Sequence, residues 1–326
     1  MTVLTSAPLS SRPQAMLPRS MRIVVLSGGL GPEREVSLNS GRAVHQALLR
    51  LGHTAVLKDI RPDDLSALRE PADFVFIALH GEFGEDGTLQ AELDNRGLPY
   101  CGSGALASEL AMNKVESKRR FDRAGLWTPG YELVDQNNLD GLMLRFPVPA
   151  VVKPVSSGSS VDTSIVRQPA ELREAAFQVV SKYGQALVER YIAGPELTVG
   201  ILGDIALPVC EIRTRREFYD YQAKYVDDDT QYLFDIDLPE SLLAEVQSLS
   251  LRAHRALGCG VFSRVDWKID EKVFEPFVLE VNTIPGFTDH SLLPKSAARI
   301  GLTFDALCQR IVELSMSRFE FVRSPM

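Results

Sequence analysis

From Met21 onward the chain alternates short apolar runs with stretches of helical periodicity. Arg22-Ile-Val-Val-Leu-Ser27 is a continuous apolar run closed by Gly28-Gly29, the pattern of a parallel strand buried on both faces. Val44, Leu48 and Leu49 fall at helical spacing within Ser37–Leu51, and Gly52 ends that segment. The pattern then predicts a strand at Thr54–Leu57, a helix near Asp63–Arg69 and a third strand over Asp73–Leu79. The end of this third strand delivers His80-Gly81. Residues 21–105 therefore read as a small doubly wound α/β unit.

A charged helix follows at Lys114–Gly125, then a strand at Pro149–Lys153, a helix at Ala170–Tyr183 and a strand at Gln185–Val188. Strands at Leu197–Ile201, Phe262–Ile269 and Val278–Val281 and helices at Leu242–Leu257 and Phe304–Leu314 complete the pattern. This order predicts α+β lobes, a central one over 106–187 and a C-terminal one over 188–326. Residues 1–20 are rich in Ser and Pro and lack the apolar core of a secretory signal. They are expected to be a flexible tail, with Met21 as an alternative start and an organelle-targeting segment as the other reading.

Composition narrows the partners. A net charge of -8 over 326 residues is a poor match for nucleic acid or an anionic membrane surface. No apolar run approaches the roughly 18 residues needed to span a bilayer. Cys101, Cys210, Cys259 and Cys308 form no C-x-x-C pair, which disfavours structural zinc and fits reduced thiols in a cytoplasmic protein.

The chemistry concentrates in a few strings. Arg264-Val-Asp266 and Glu280-Val-Asn282 each sit in an apolar strand, and alternation puts Glu280 and Asn282 on one face. Two carboxylates and an amide oxygen are hard ligands suited to Mg²⁺ held jointly with phosphates. Lys153 ends a strand and runs into Val-Ser-Ser157-Gly158-Ser159-Ser160, a cationic side chain followed by a loop whose amides can wrap an anion. It is not a Walker A loop. Gly28-Gly29-Leu-Gly31 resembles a dinucleotide turn but carries Arg34 where the third glycine belongs. Glu33 beside this turn and the helix N-terminus near Ser37 would suit a zwitterionic amino acid; an ordinary turn with a solvated acid is the other reading.

These strings, in this order, resemble the D-alanine–D-alanine ligase family of ATP-grasp enzymes. The matching pieces include GG-x-x-x-ERE-VSL-x-SG at 28–41, HG-x-x-GEDGTLQ at 80–90, ERYIAGPELTV at 189–199, FYDYQAKY at 218–225 and EVNTIPGFTDHSLLP at 280–294. The resemblance covers about residues 22–315 and implies a doubly wound N-terminal domain followed by a two-lobed ATP-grasp domain. It further implies that Glu33 holds the amino group of the first D-alanine, with His80 beside that substrate. Lys114 and Lys153 would contact ATP phosphates, Glu189 and Glu196 adenine or ribose, and Lys224 the γ-phosphate. Ser159 and Tyr225 would join Glu33 in a hydrogen-bonded network. Asp266, Glu280 and Asn282 would ligate two Mg²⁺ ions, Mn²⁺ being an alternative, and Arg264 with the Gly286 amide would stabilise an oxyanion. Ser291 and Leu292 would take the carboxylate of the second D-alanine. A homodimer is also implied. The Tyr/Asp/Lys-rich stretch Glu217–Thr230 fits a lid that excludes water from an acyl phosphate.

Three departures stand out. Asp162 replaces the last glycine of a GSSVG loop, and a carboxylate about 6 Å from a phosphate would be repelled by roughly 3 kcal/mol. Asp162 therefore points away, pairs with a cation or weakens ATP use. Phe234-Asp-Ile-Asp-Leu238 replaces a Cys-Pro-Ala segment, and Gly260-Val-Phe-Ser263 precedes Arg264 where aromatic–glycine combinations are usual. Two alternatives remain: a related ligase using D-lactate or D-serine as second substrate, and a nucleotide-binding homologue with impaired catalysis. Lys224-Tyr225 favours dipeptide formation over depsipeptide formation.

Overall fold

The computed structural model describes residues 20–215 and 229–323, and structural statements here concern those residues. Strands β1 (Arg22–Gly28), β2 (Thr54–Ile60) and β3 (Phe74–Ile77) form a parallel sheet in the order β2-β1-β3. Helix α1 (Arg34–Arg50) packs Val44, Ala47 and Leu48 into the core of this sheet. Ser37 Oγ accepts from Gly28 N at 2.8 Å and donates to Ala78 O at 2.7 Å, tying the start of α1 to the ends of two strands. Gly41 permits the approach: a Cβ there would lie 2.5 Å from Ser27 Cβ. The predicted helix near Asp63–Arg69 is only a 3₁₀ turn over Ser66–Arg69. Asp64 Oδ1 accepts the Ser66 amide at 2.9 Å, and such local side-chain bonding competes with helix formation.

Helices α2 (Thr88–Asn95), α3 (Ala105–Met112) and α4 (Lys114–Arg123) lead to a second sheet. It contains β4 (Tyr131–Asp135), β5 (Ala150–Pro154), β6 (Ser164–Val166) and β7 (Gln185–Arg190) in the antiparallel order β4-β7-β5-β6. Helix α5 (Pro169–Tyr183) covers it through Leu172, Ala176, Val179 and Val180.

The third sheet contains β8 (Glu196–Leu202), β9 (Ile205–Ala206), β10 (Cys210–Arg213), β11 (Gln231–Leu233), β12 (Phe262–Ile269) and β13 (Pro276–Asn282). Its order is β11-β10-β8-β12-β13, with β9 paired to β8. Helix α6 (Glu240–Ala256) packs Val246 and Ala253 against it, and Trp267 Nε1 donates to Ser250 Oγ on this helix at 2.8 Å. Two helices follow, α7 (Leu292–Ala298) and α8 (Phe304–Arg323). Helix α8 extends beyond the predicted Leu314 because Met316 and Phe319 still have a core to meet. That core belongs to the first sheet, which Leu307, Ile311 and Val312 help to close. Arg50 and Asp305 pair at 2.6 Å across the same seam. The four cysteines are free, and burial pushes the thiols of Cys101, Cys210 and Cys259 up to about 12.

Candidate active site

The ribbon formed by β12 and β13 organises the site. Asp266 lies opposite Glu280 and Arg264 opposite Asn282, so all four side chains share one face. On the other side of β12, Asp266 faces Thr198 and Lys268 faces Glu196 on β8. A register shift between Asp266 and Trp267 turns both Leu279 and Glu280 of β13 toward the same cavity. Two cavities adjoin along this ribbon.

The first cavity has an empty volume of about 890 Å³ and is lined by Lys114, Lys153, Glu189, Glu196, Asp266 and Glu280. The second, of about 1350 Å³, is lined by Glu33, His80, Ser159, Arg264, Asn282, Gly286, Ser291 and Leu292. Every described residue expected at the site thus lines one cavity or the other. Lys224, Tyr225 and most of the expected lid, Glu217–Thr230, lie outside the described residues.

In the first cavity the charges are mutually compensated. Lys153 Nζ lies 2.6 Å from Glu189 Oε2, and Lys118 Nζ lies 2.6 Å from Oε1 of the same carboxylate. Lys118 is fully buried and spends its directed hydrogen bonds on Thr128 Oγ1 at 2.6 Å and Pro129 O at 3.3 Å. Burial drives its ammonium down to about 8 despite the attraction of Glu189. Burial alone would push the Glu189 carboxyl up, but Lys118 and Lys153 together outweigh it and hold it below the ordinary range. Lys114 Nζ donates to Ser157 O at 2.6 Å and lies 3.6 Å from Glu280. Lys268 and Glu196 pair at 3.3 Å. The sequence reading missed Lys118, although it lies four residues after Lys114 and so on the same helical face.

Asp266 is saturated. Its Oδ1 accepts from Arg264 Nε at 2.9 Å and Thr198 Oγ1 at 2.6 Å, and its Oδ2 from Arg264 Nη2 at 2.7 Å and Asn282 Nδ2 at 2.9 Å. A cation would reach this carboxylate only by displacing one donor, and turning the Asn282 amide would do so while presenting its Oδ1, itself a hard ligand. Among the described residues no three His, Cys, Asp or Glu side chains are grouped to hold a metal ion. The donor set therefore fits an ion that completes its shell with phosphate and water oxygens.

In the second cavity, Glu33 sits at the start of α1 between two glycines. A Cβ at Gly81, whose φ is +75°, would lie 2.4 Å from Glu33 Oε2. At Gly158 the distance would be 2.9 Å. Ser159 Oγ donates to Glu33 Oε1, joining the first sheet to the Ser/Gly loop. Glu85, also missed from sequence, accepts from Gly81 N at 3.0 Å. Burial, then the nearby Glu33 carboxylate, hold its carboxyl well above the usual range. His80 is buried and depressed below its ordinary value by that burial, which Glu33 only partly opposes. Ser291 Oγ accepts from Thr288 N at 3.0 Å, shaping the turn after Gly286. Ser159, Ser160 and Asp162 all adopt positive φ, and Asp162 is held on α5 by Lys182 at 2.5 Å and by Tyr183. Of the three outcomes expected for this acid, pairing with a cation is the one observed.

Comparison with known proteins decides the family. Residues 57–103 match the D-ala D-ala ligase N-terminus and residues 123–313 the D-ala D-ala ligase C-terminus. The chain belongs to the D-alanine–D-alanine ligase family. It is 46% identical over 296 residues to the D-alanine–D-alanine ligase of Trichlorobacter lovleyi, covering 90% of this chain and 94% of that one. The Bordetella petrii enzyme of the same name is 45% identical over 297 residues, 89% of this chain and 91% of the relative. Among solved structures, the D-alanine–D-alanine ligase from Bacillus anthracis complexed with ATP superposes with a TM-score of 0.79 at 33% identity, covering 93% of this chain and 99% of that one. The VanG D-Ala:D-Ser ligase from Enterococcus faecalis gives 0.81 at 27% identity, with 91% and 99% covered. The ATP-grasp fold of the family is thus the fold of this chain.

Proposed function

We infer that this chain joins two D-alanines at the expense of ATP, giving D-alanyl-D-alanine, ADP and phosphate for peptidoglycan precursors. The observation that carries the reading is the β12–β13 ribbon. It presents Asp266 and Glu280 to one cavity and Arg264 and Asn282 to its neighbour, two residues or about 7 Å along the strand. A nucleotide in the first cavity and an amino-acid carboxylate in the second would meet there.

The first cavity takes ATP, with Lys114 and Lys153 toward the phosphates and Glu189 and Glu196 toward adenine and ribose. Asp266, Glu280 and Asn282 would hold Mg²⁺, two ions in our reading, whose positive charge would offset that of the phosphates. Glu33 receives the ammonium of the first D-alanine and, through Ser159, ties it to the loop over the phosphates. The carboxylate of that D-alanine attacks the γ-phosphorus, and ADP leaves. This makes an acyl phosphate, whose leaving group is far better than oxide. The amine of the second D-alanine, its carboxylate at Ser291 and Leu292, then attacks the carbonyl carbon. Arg264 and the Gly286 amide receive the resulting oxyanion. Lys224 and Tyr225 would complete the site from the segment around Glu217–Thr230. We place the enzyme in the cytoplasm as a homodimer.

Among solved structures, identity of 33–37% to the Bacillus anthracis D-alanine–D-alanine ligase, against 27% to the D-Ala:D-Ser ligase, supports alanine as the second substrate. Phosphate release from ATP, measured with D-alanine, D-serine and D-lactate as acceptors, tests this. D-Alanine should give dipeptide at one phosphate per bond and outpace the others at least tenfold. Faster turnover with D-serine or D-lactate would reassign the acceptor, and no release with any of them would remove the ligase reading.

A further inference from the structure

We propose that Ser40 and His80 act as a positioning relay that sets the Gly286 amide for the attack step. This rests on the ligase reading above. Ser40 lies on α1 and His80 follows β3, both in the first sheet's layer, yet together they grip the loop that follows β13. His80 Nδ1 is 2.9 Å from Ile284 O. A carbonyl only accepts, so Nδ1 carries the ring proton. In the neutral ring Nε2 is then an acceptor, and the Ser40 hydroxyl 2.9 Å away donates to it. Ser40 Oγ in turn accepts from Phe287 N at 3.1 Å. Each donor in this chain thus has one acceptor: Phe287 N gives to Ser40, Ser40 to His80, and His80 to Ile284.

The two grips lie on either side of Gly286. Ile284 is held through its carbonyl and Phe287 through its amide, with Pro285 restricting the backbone between them. The peptide carrying the Gly286 N–H therefore has little freedom to swing. Both partners are buried, Ser40 wholly so on α1 and His80 three residues beyond the end of β3. Phe287 is itself packed against Phe76 of β3, with ring centroids 5.7 Å apart. The relay also alters the role of His80: both ring nitrogens are spent on the protein, so the side chain borders the substrate cavity without a free nitrogen to offer it.

A displaced Gly286 amide would slow one step specifically. The second amine attacks the acyl-phosphate carbon, the carbonyl oxygen takes the negative charge, and phosphate then departs as the amine loses a proton. When that attack slows, the acyl phosphate lives longer and water attacks its phosphorus instead; the bond from phosphorus to the acyl oxygen breaks, D-alanine leaves as its carboxylate and phosphate is freed, with no oxyanion formed at the carbonyl oxygen that Gly286 serves. The ratio of phosphate released to dipeptide formed then rises above one. ATP binding, in the other cavity, is untouched.

The test is Ser40→Ala in the full-length enzyme, with phosphate, dipeptide and the KM for ATP measured together. The expected result is a dipeptide rate at least tenfold lower, a phosphate-to-dipeptide ratio of two or more, and a KM for ATP within twofold of wild type. A folded variant whose rate is within twofold and whose ratio stays at one overturns the proposal. So does a rate loss at a ratio of one, which marks a general structural role. If Ser40→Ala does not fold, His80→Asn carries the same readout: its amide nitrogen takes the place of Nδ1 and can donate to Ile284 O, but the side chain is too short to reach Ser40 as well, and a ratio of one in that variant also overturns the relay. A wild-type enzyme that forms no dipeptide would instead refute the ligase reading.

Discussion

The cavity beneath Lys153 takes its charges from strands and one helix, whereas the cavity around Glu33 takes most of its polar groups from loops. On the strand side, register decides the partners: Lys268 faces Glu196, and Asp266 faces both Thr198 and Glu280. Each cation there lies beside an acid or a carbonyl, so the cavity is electrostatically balanced before a nucleotide arrives. On the loop side, burial first and the neighbouring Glu33 carboxylate second shift Glu85 toward its neutral form. Ladder hydrogen bonds fix the first arrangement cheaply, and tertiary contacts between distant segments must fix the second. A substitution on the strand side should therefore remove a whole electrostatic function or destabilise the fold, while loop changes should tune.

Glu280→Ala offers the sharpest way to break this contrast. Loss of one of the two carboxylates proposed to face the phosphates should reduce turnover by on the order of 1,000-fold, measured as ADP release at saturating Mg²⁺. Activity within tenfold of wild type would detach Glu280 from the metal. Lys118→Met comes next. It leaves Glu189 buried with Lys153 alone, and breaking a buried pair in this way costs about 3–5 kcal/mol. Urea denaturation reads this directly, and a loss under about 1 kcal/mol would mean that Lys153 balances Glu189 unaided. Asp162→Gly should do least. The Asp162–Lys182 pair is well exposed and worth at most about 1 kcal/mol. Glycine at that positive φ relieves a similar strain. Stability should move by less than about 1 kcal/mol and the KM for ATP should stay the same or fall. A clear rise in that KM would give Asp162 a positive part in holding the loop.

The same contrast explains what could be read from the sequence. Asp266, Glu280 and Asn282 were legible because alternation fixes which side chains share a face, and the apolar residues flanking them mark the strands. Glu33, His80, Ser159 and Gly286 stood out only through glycine-rich strings and family resemblance. Nothing in their spacing says that Glu33 meets Ser159, 126 residues away, or that His80 meets Ile284, 204 residues away. Ser40 was hidden for the same reason, since a serine on a helix carries no local sign of a partner 247 residues on. Lys118 was passed over because a lysine in a charged helix normally faces water, and only the tertiary structure shows it sealed under Glu189. The 3₁₀ turn at Ser66–Arg69 shows the opposite error, a helical reading undone by one aspartate that accepts from the backbone amide two residues on.

The seam between α1 and α8 has a consequence for how the protein is made. The first sheet can pair its three strands once about the first hundred residues have left the ribosome, but part of its apolar face is closed only by Leu307, Ile311 and Val312. Arg50 must wait for a partner 255 residues later, which at about 5–20 residues per second is roughly 10–50 s. Through that interval the nascent chain carries a formed sheet with an uncovered greasy flank, a state open to chaperone capture and to mispairing with other nascent chains. Translation speed and chaperone supply, more than any single contact in the finished enzyme, should govern its yield.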